Sequence, residues 1–369
     1  MYLKGRTVLD FSQYIPGPYA ALRLADFGAT VIKVEPPNGE LARAKMGPPD
    51  EQGIVFEANN ASKQSITVNL KSEGGLERAF ELIKSADVLI ESFRPGVMKR
   101  LGLDYESVSK ANEKIIYCSI SGYGLVGKEA TLGSHDINYL SLTGVLSQLK
   151  DHKGRPIHPS LTLADHLGGM AASESILAAL FARGQTGRGT YIDVSLVDAL
   201  LGLMNNHFVL AHKTGKQNGI TALAGTIVSY AIYETSDHRY VSLGALEKKF
   251  WENFCNACEK PEWIKTQYSY ANLENPTFME LTNLFKSKTL AEWSEFAEEV
   301  DCCLAPVLEA TEAMNRYGSG VRQMIVKDKE SVQVATRYEQ DFVVRRTSAP
   351  ALGEHSEKII QGLAKKKSL

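Results

Sequence analysis

Residues 7–34 read TVLDFSQYIPGPYAALRLADFGATVIKV and decide the fold. Apolar side chains dominate Thr7–Phe11 and Thr30–Val34, which predicts two strands, and Pro18–Phe27 carries alanine, leucine and phenylalanine at helical spacing. Gly28 ends that helix just before the second strand begins. A strand, a helix and a strand within about 30 residues form a βαβ unit, whose crossover we expect to be right-handed.

The alternation of strands and helices continues along the chain. Strands are predicted at Ser65–Leu70, Asp87–Glu91 and Ile115–Ser119, with a helix at Gly75–Ser85. Helices interleaved with strands predict a parallel sheet that is covered on both faces. The elements predicted next are a helix at about Gly169–Arg183, a strand at Tyr191–Val194 and a helix at Leu196–His212.

The composition of the sequence changes after residue 212, and this change predicts a second domain. Residues 213–225 are polar and carry glycine, which is typical of a linker between a large domain at 1–212 and a smaller α+β domain at 226–318. Residues 319–369 are expected to return to the large domain. The predicted fold class is therefore α/β, with a parallel sheet in the large domain and a smaller α+β domain.

Composition excludes several classes of protein. Of the 369 residues, 41 are Lys or Arg and 43 are Asp or Glu, so the net charge of −2 provides no basic field for nucleic acid or anionic lipid. No apolar run reaches the roughly 18 residues that a membrane span requires. Five cysteines are too few for a disulfide framework in a chain of this length, and we expect a cytoplasmic protein without a resident metal.

The first turn of the βαβ unit argues against a dinucleotide cofactor. Residues 15–18, Ile-Pro-Gly-Pro, hold one glycine where the phosphate-binding fingerprint needs three. Their two prolines also lack the N–H groups that would bind a pyrophosphate. We therefore predict no permanently bound cofactor.

Three segments carry candidate catalytic residues. His135 and Asp136 lie between a glycine-rich turn and an apolar stretch, Asp165 precedes a predicted helix, and Glu247 begins another polar first turn. A helix-capping role would also explain Asp165. However, a Gly168-Gly169 pair is costly in a first helical turn unless a ligand approaches the backbone there.

Several segments, in the same order along the chain, resemble the family III CoA-transferase superfamily. They span nearly the whole chain and include Pro16-Gly-Pro18, Leu24-Ala-Asp-Phe-Gly-Ala29, Val31-Ile-Lys-Val-Glu-Pro36, Ala86-Asp-Val-Leu-Ile-Glu-Ser-Phe-Arg-Pro-Gly96 and Gly353-Glu-His-Ser356. The resemblance implies a Rossmann-like large domain, a small domain and an interlocked homodimer. It also implies an acyl-CoA thioester as the substrate, with coenzyme A entering as part of that substrate.

Within this superfamily the resemblance leaves two reactions open. In the racemases of 2-methylacyl-CoA thioesters, a His matching His135 and an Asp matching Asp165 move the α-proton, and a Glu matching Glu247 pairs with the His. In the transferases, the Asp attacks the thioester, forms an acyl anhydride and passes CoA to a carboxylic-acid acceptor. Formyl-CoA transferase has Tyr where this chain has His135, which favours the racemase; a catalytically inactive CoA-binding protein is a further alternative.

The resemblance also implies which residues bind CoA. Lys63, Arg94 and Arg43 are expected to meet its phosphates, as charged donors do. Backbone N–H groups at Gly168 and Gly169 are expected to stabilise the developing oxyanion. The residues expected to line the CoA are Thr67, Val68, Asn69, Leu70, Ser134, Asp136, Ile137, Asn138 and Tyr139.

Overall fold

The computed structural model describes residues 1–44, 48–151, 153–319, 324–327, 332–339 and 342–367. Contacts within the chain divide it into two compact units, residues 1–204 with 321–369 and residues 205–320. The domain limits proposed from the sequence, 1–212, 226–318 and 319–369, stay a prediction. Within the described ranges, no helix combines the length and the apolar character needed to cross a membrane.

The first unit is built on a six-stranded parallel sheet, which confirms the predicted α/β class. Its strands are β1 (Thr7–Asp10), β2 (Thr30–Glu35), β3 (Gln64–Thr67), β4 (Val88–Glu91), β5 (Ile116–Ser121) and β6 (Thr190–Ser195). They are ordered β3-β2-β1-β4-β5-β6. Strands β2 and β3 are added on one side of β1 and strands β4 to β6 on the other, so the strand order reverses between β1 and β4. Ligands of such sheets bind at the carboxyl-terminal edge beside that point.

The second unit contains a three-stranded antiparallel sheet. Its strands are β7 (Tyr230–Glu234), β8 (Tyr240–Gly244) and β9 (Leu304–Pro306). Trp251, Phe254, Phe285 and Trp293 are fully buried and form the centre of its core. Two further antiparallel pairs belong to the first unit: β10 (Ile325–Lys327) with β11 (Val332–Val334), and β12 (Thr336–Glu339) with β13 (Phe342–Val344).

Helices of the first unit cover both faces of the parallel sheet. Along the chain the α-helices are α1 (Pro16–Asp26), α2 (Ile54–Asn60), α3 (Glu73–Lys84), α4 (Val97–Arg100), α5 (Tyr105–Ala111), α6 (Asp136–Leu142), α7 (Leu163–Thr186), α8 (Leu196–Leu203), α9 (Asn205–Thr214), α10 (Lys248–Ala257), α11 (Pro276–Phe285), α12 (Leu290–Glu299), α13 (Ala310–Gly318) and α14 (Ser356–Lys367). Of these, α9–α13 belong to the second unit. One face of the parallel sheet packs on α1 and α7 through residues such as Leu24 and Ile176. The other packs on α3 and α5 through residues such as Ile83 and Val108.

Helix α7 begins at Leu163, six residues before the predicted start at Gly169. The sequence pattern suggested a late start because two glycines usually weaken a helix. Here the lack of side chains is required by packing. A Cβ atom on Gly168 would lie 2.0 Å from Leu196 Cδ2, and one on Gly169 would lie 2.6 Å from the Pro16 carbonyl oxygen.

Candidate active site

Two loops meet beside the point where the strand order reverses, between β1 and β4. One follows β1 and the other follows β4, and the Gln13 N–H of the first donates a 2.9 Å hydrogen bond to Ser92 Oγ of the second. The second loop ends at Gly96, whose φ of 82° lies in the left-handed region that glycine adopts without strain. The two loops therefore form one connected rim on the carboxyl-terminal edge of the sheet.

Arg94 projects from this rim into solvent. The described part of the chain provides no ion-pair or hydrogen-bond partner for its guanidinium group. A Cβ atom on Gly133 would lie 3.0 Å from Arg94 Nη2, so the glycine allows the guanidinium to approach the segment that carries His135. An exposed arginine next to candidate catalytic residues can bind a phosphate or a carboxylate.

The segment Ser134–Tyr139 is held by tyrosines and by its own cap. Tyr123 Oη shares a hydrogen bond with Ser134 Oγ, and Tyr139 Oη donates to the Ser134 carbonyl oxygen at 3.3 Å. His135 is the residue before α6, where its N–H donates to Asn138 Oδ1 at 3.0 Å. The backbone of His135 is thus fixed, while its side chain is exposed in the single chain.

Asp136 links this segment to α7. Asp136 is the first residue of α6, and its Oδ2 accepts the backbone N–H of Asp165 at 3.0 Å. Asp165 is the third residue of α7, where a backbone N–H has no partner within the helix. The hydrogen bond therefore brings the amino-terminal ends of α6 and α7 together, with His135 preceding one and Asp165 inside the other.

The carboxyl group of Asp165 is strongly perturbed. Burial raises the pKa of Asp165 to about 7, and the nearby negative charge of Asp136 adds to the shift. A carboxyl group with a pKa near neutrality is populated in both its protonated and its ionised form. It can therefore donate a proton or accept one at neutral pH.

The structure places Gly168 and Gly169 inside α7. They are the sixth and seventh residues of the helix, so helix geometry directs their N–H groups to carbonyls four residues earlier. Their role in stabilising an oxyanion stays a prediction. The two glycines allow α7 to pack closely against Leu196 and against Pro16.

Lys63 is paired inside the protein. Its ammonium group is fully buried and donates to Asp10 Oδ2 at 2.8 Å, to the Pro18 carbonyl at 2.8 Å and to Asn60 Oδ1 at 2.9 Å. An ammonium has three protons, and all three are used inside the protein. Burial lowers the pKa of Lys63 to about 8. Lys63 is therefore an internal cation in the single chain, and its contact with a CoA phosphate stays a prediction.

Arg43 is likewise occupied by protein groups. Its Nε and Nη2 donate to the two oxygens of Glu35, each at 2.7 Å, and its Nη groups donate to the Pro350 carbonyl at 3.1 Å. Its guanidinium also lies 3.6 Å from the centre of the Phe56 ring. These contacts fix Arg43 at the end of β2, and its contact with a CoA phosphate stays a prediction.

The predicted lining residues 67–70 lie at the end of the outermost strand, β3. Val68 is buried, and its N–H donates to the Glu35 carbonyl at 2.8 Å, whereas Asn69 is exposed. The Thr67 N–H donates to Ser356 Oγ at 3.3 Å, which ties the end of β3 to the C-terminal helix. Three strand spacings separate β3 from β4, or about 14 Å. A ligand that reaches from Asn69 to Arg94 must therefore be long.

Glu247 lies in the second unit. It is the residue before α10, and its side chain is exposed. The pairing of Glu247 with His135 stays a prediction, as do the CoA contacts of Ile137, Asn138 and Tyr139.

Sequence reasoning missed one titratable group at this edge, Glu91 at the end of β4. Glu91 accepts the Phe93 N–H at 2.8 Å and lines a cavity of about 200 Å³ that Arg94 and Tyr191 also line. Burial raises the pKa of Glu91 to about 7. A charged residue that ends an otherwise apolar strand was the available signal, in Val-Leu-Ile-Glu91 as in Val-Leu-Asp10.

Comparison with known proteins agrees with this architecture. The sequence profile of CoA-transferase family III matches residues 3–356. The chain is 27% identical to a CaiB/BaiF family protein from Brucella suis, with a TM-score of 0.82 over 98% of this chain and 99% of that one. A hypothetical protein from Mycobacterium tuberculosis, also 27% identical, superposes with a TM-score of 0.80 over 96% and 98%. The chain belongs to CoA-transferase family III.

Relatives of established name divide between two reactions. Human alpha-methylacyl-CoA racemase is 32% identical over 98% of this chain and 93% of its own length. Acetyl-CoA:oxalate CoA-transferase of Acetobacter aceti is 30% identical over 88% and 85%. Mouse succinyl-CoA:glutarate CoA-transferase is 28% identical over 97% and 86%. Identities this similar define an acyl-CoA enzyme without selecting one reaction.

Proposed function

We propose that this protein is a racemase of 2-methylacyl-CoA thioesters that moves the α-proton between two bases, His135 and Asp165. The observation that carries the proposal is the hydrogen bond from the Asp165 N–H to Asp136, which ties the start of α7 to the segment that carries His135. Burial also raises the pKa of the Asp165 carboxyl group to about 7. A residue that must accept a proton in one direction and donate one in the other works best with a pKa near the working pH. An Asp nucleophile, in contrast, reacts only in its ionised form.

The chemistry requires one group on each face of the α-carbon. The thioester carbonyl acidifies the α-C–H bond, so His135 as a neutral imidazole can take that proton and leave an enolate. Protonated Asp165 then returns a proton to the opposite face, which inverts the centre. In the reverse direction Asp165 is the base and the imidazolium is the acid. The linkage through Asp136 supports this pair because it ties the start of α6 to the start of α7.

Arg94 is the residue that we propose for the CoA phosphates. It is exposed, has no protein partner in the described ranges and approaches Gly133 beside His135. The end of β3 lies about 14 Å away across the same edge, a separation that an extended molecule such as CoA can bridge. Thr67, Asn69 and Leu70 are the proposed second contact region.

A homodimer is part of the proposal. Exposed apolar side chains lie on three helices of the single chain: Met170 and Phe181 on α7, Leu203 on α8, and Phe208 on α9, with exposures of 51%, 73%, 53% and 44%. Large contiguous apolar patches are uncommon on monomeric proteins, and we propose that these side chains belong to one. A second copy would cover them, and Glu247 of either copy is then the proposed partner of the His135 imidazole. Light scattering after gel filtration tests the dimer directly.

The transferase is the second candidate because two of its relatives match at nearly the racemase's identity. Mass spectrometry after incubation with a 2-methylacyl-CoA in deuterated water separates the two. The racemase incorporates deuterium at the α-carbon without any acceptor acid. His135→Ala abolishes the incorporation, whereas the control His238→Ala, at the exposed turn between β7 and β8, retains it.

The opposite pattern contradicts the racemase. Exchange of the acyl group with an added carboxylic acid, no α-deuterium, and a hydroxylamine-trapped adduct on Asp165 would establish the transferase. Binding of acyl-CoA without either reaction would establish a CoA-binding protein that has lost catalysis.

A further inference from the structure

The first unit buries a group of charged side chains beneath the loop that follows β1. They lie at or just beyond the carboxyl-terminal ends of β1, β2 and α2, and we call them the buried charge network. Its members are Asp10, Lys33, Glu35, Glu40, Arg43 and Lys63. Three carboxylates and three cations balance one another. Except for Arg43, at 18%, no side chain is more than 2% exposed.

The centre of the network is a chain of close ion pairs. Lys33 Nζ lies 2.7 Å from Glu40 Oε2 and 3.6 Å from Asp10 Oδ1. Asp10 Oδ2 in turn lies 2.8 Å from Lys63 Nζ. Desolvation offsets most of the attraction in buried ion pairs, so replacing them with apolar side chains often leaves stability unchanged or improves it. Stability alone is therefore a weak explanation for so many buried charges.

A second feature of the network is where its remaining contacts go. Each of four members bonds to the main chain of residues 12–18, which form most of the loop between β1 and α1 and the first residues of α1. Asp10 accepts the Ser12 N–H at 3.0 Å and Lys33 donates to the Ser12 carbonyl. Lys63 donates to the Pro18 carbonyl at 2.8 Å.

Glu40 makes the fourth contact, and it falls on a strained residue. Its Oε1 accepts the Tyr14 N–H at 2.6 Å. Tyr14 has a φ of 64°, a left-handed conformation that is unfavourable for residues other than glycine. Such a conformation persists only when its surroundings enforce it. The charge of Glu40, itself fixed by Lys33, is one of those surroundings.

The start of α1, which continues from this loop, touches α7 next to Asp165. The Pro16 carbonyl oxygen lies 2.6 Å from the position that a Cβ atom on Gly169 would occupy. Gly169 follows Asp165 by four residues and so lies on the same face of α7. The Tyr19 ring packs against the His166 ring at 5.0 Å between centroids. The position of the loop therefore determines how closely α1 approaches α7 at Asp165.

We infer that the buried charge network positions the catalytic Asp165, by fixing the main chain of residues 12–18 against α7. Its residues act through the loop and do not touch the substrate. The inference deepens the proposed function and rests on it, since it takes Asp165 to be the residue that reacts with the acyl-CoA. Small displacements of a reacting group reduce rates strongly, by up to about a hundredfold for 1 Å.

The test is a series at Glu40. Glu40→Ala removes both the ion pair to Lys33 and the acceptor for Tyr14, whereas Glu40→Gln keeps an oxygen for Tyr14 and loses only the charge. Glu57→Ala, an exposed residue of α2, is the matched control. Two quantities are measured on the full chain: amide hydrogen exchange of residues 11–18 compared with α3, and kcat and KM for whichever of the two reactions the wild type catalyses.

In Glu40→Ala we expect amide exchange in residues 11–18 to accelerate about tenfold, with α3 unchanged. We expect kcat to fall about tenfold and KM to stay within about twofold of the wild type. Glu40→Gln should recover only part of the loop protection and of kcat, because it keeps the acceptor for Tyr14 but loses the ion pair with Lys33, and Glu57→Ala should match the wild type. If Glu40→Ala does not fold, the uncharged pair Lys33→Met with Glu40→Gln takes its place, because it removes both partners together.

Three results would overturn the inference: unchanged exchange in the loop, equal loss of protection in the loop and in α3, or a loosened loop with unchanged kcat. The first two assign the network to folding alone. A wild-type protein that catalyses neither reaction would refute the proposed function. The amide-exchange comparison would still show whether the network holds the loop.

Discussion

The backbone N–H of Asp165 donates a 3.0 Å hydrogen bond to the carboxylate of Asp136, 29 residues earlier in the chain. The bond satisfies one of the free N–H groups in the first turn of α7. It also holds a negative charge next to a carboxyl group that burial already disfavours in its ionised form. One contact thus contributes both to the position and to the acidity of Asp165.

Asp136→Asn should lower the pKa of Asp165, because it removes the negative charge that opposes ionisation. The pKa should remain above the usual aspartate value, since burial is the larger cause of its elevation. The pH dependence of kcat/KM for α-deuterium incorporation reports this as a shift of the Asp165 limb to lower pH. Asp198→Asn, an exposed aspartate in the first turn of α8, is the control. An unchanged limb in Asp136→Asn would show that the two carboxylates are not coupled.

Asp165→Asn should stabilise the folded protein at pH 8. Burial raises the pKa of Asp165 to about 7 in the folded state, above its unfolded value of 3.8. The folded chain therefore binds more protons between these values, and the wild type loses stability as the pH rises through that range. The loss is on the order of 3 kcal/mol after allowing for partial exposure of the carboxyl group. Thermal unfolding of the wild type and of Asp165→Asn at pH 5 and pH 8 measures this difference in stability. If the stability gained by Asp165→Asn is no larger at pH 8 than at pH 5, the pKa assigned to Asp165 is contradicted.

Gly169→Ala should separate α1 from α7 beside Asp165. The new Cβ would meet the Pro16 carbonyl at 2.6 Å, and backbone cannot move aside as a flexible side chain can. We expect a loss of about 1–3 kcal/mol in unfolding free energy and a fall in kcat. Gly184→Ala, in the same helix with no atom within 4 Å of its new Cβ, should instead be neutral or stabilising. Equal effects at the two glycines would rule out the close contact as the cause.

Arg94→Met and Lys63→Met should act on different properties. Arg94→Met should weaken acyl-CoA binding by about tenfold or more and reduce its salt dependence, with little change in Tm, because an exposed charged donor is lost. Lys63→Met should lower the unfolding free energy by about 3 kcal/mol, because it leaves Asp10 buried with one ion partner fewer. Isothermal titration with CoA and thermal unfolding of both variants measure the two effects. A large loss of CoA affinity in a well-folded Lys63→Met would show that Lys63 is also a CoA ligand.

Glu91→Gln should remove a pH-dependent component of CoA binding. Burial raises the pKa of Glu91 to about 7, so Glu91 becomes ionised between pH 6 and pH 8 next to the cavity that Arg94 lines. The new negative charge would compete with CoA for the Arg94 guanidinium. We therefore expect CoA to bind Glu91→Gln more tightly than the wild type at pH 8 and equally at pH 6. If CoA affinity changes equally with pH in Glu91→Gln and in the wild type, a link between Glu91 and Arg94 is contradicted.

The order of strands and helices was readable from the sequence because it rests on local pattern. Runs such as Thr7–Phe11 and Thr30–Val34 are apolar along their length. The apolar residues of the segment between them recur at helical spacing, and both patterns involve only residues that are close in sequence. The family motifs were readable for the same reason. The start of α7 was not, because Gly168 and Gly169 are accommodated by packing on Leu196 and Pro16, which are distant in sequence.

The sequence by itself determined the parallel α/β fold, the family and the residues from which a site could be built. Only the tertiary structure decided what those residues do. It placed Lys63 against Asp10, 53 residues away, and so made Lys63 an internal cation in the single chain. It left Arg94 exposed and raised the pKa of Asp165 by burial. Hydrophobic pattern depends on neighbouring residues, whereas burial, charge pairing and pKa depend on groups that only folding brings together.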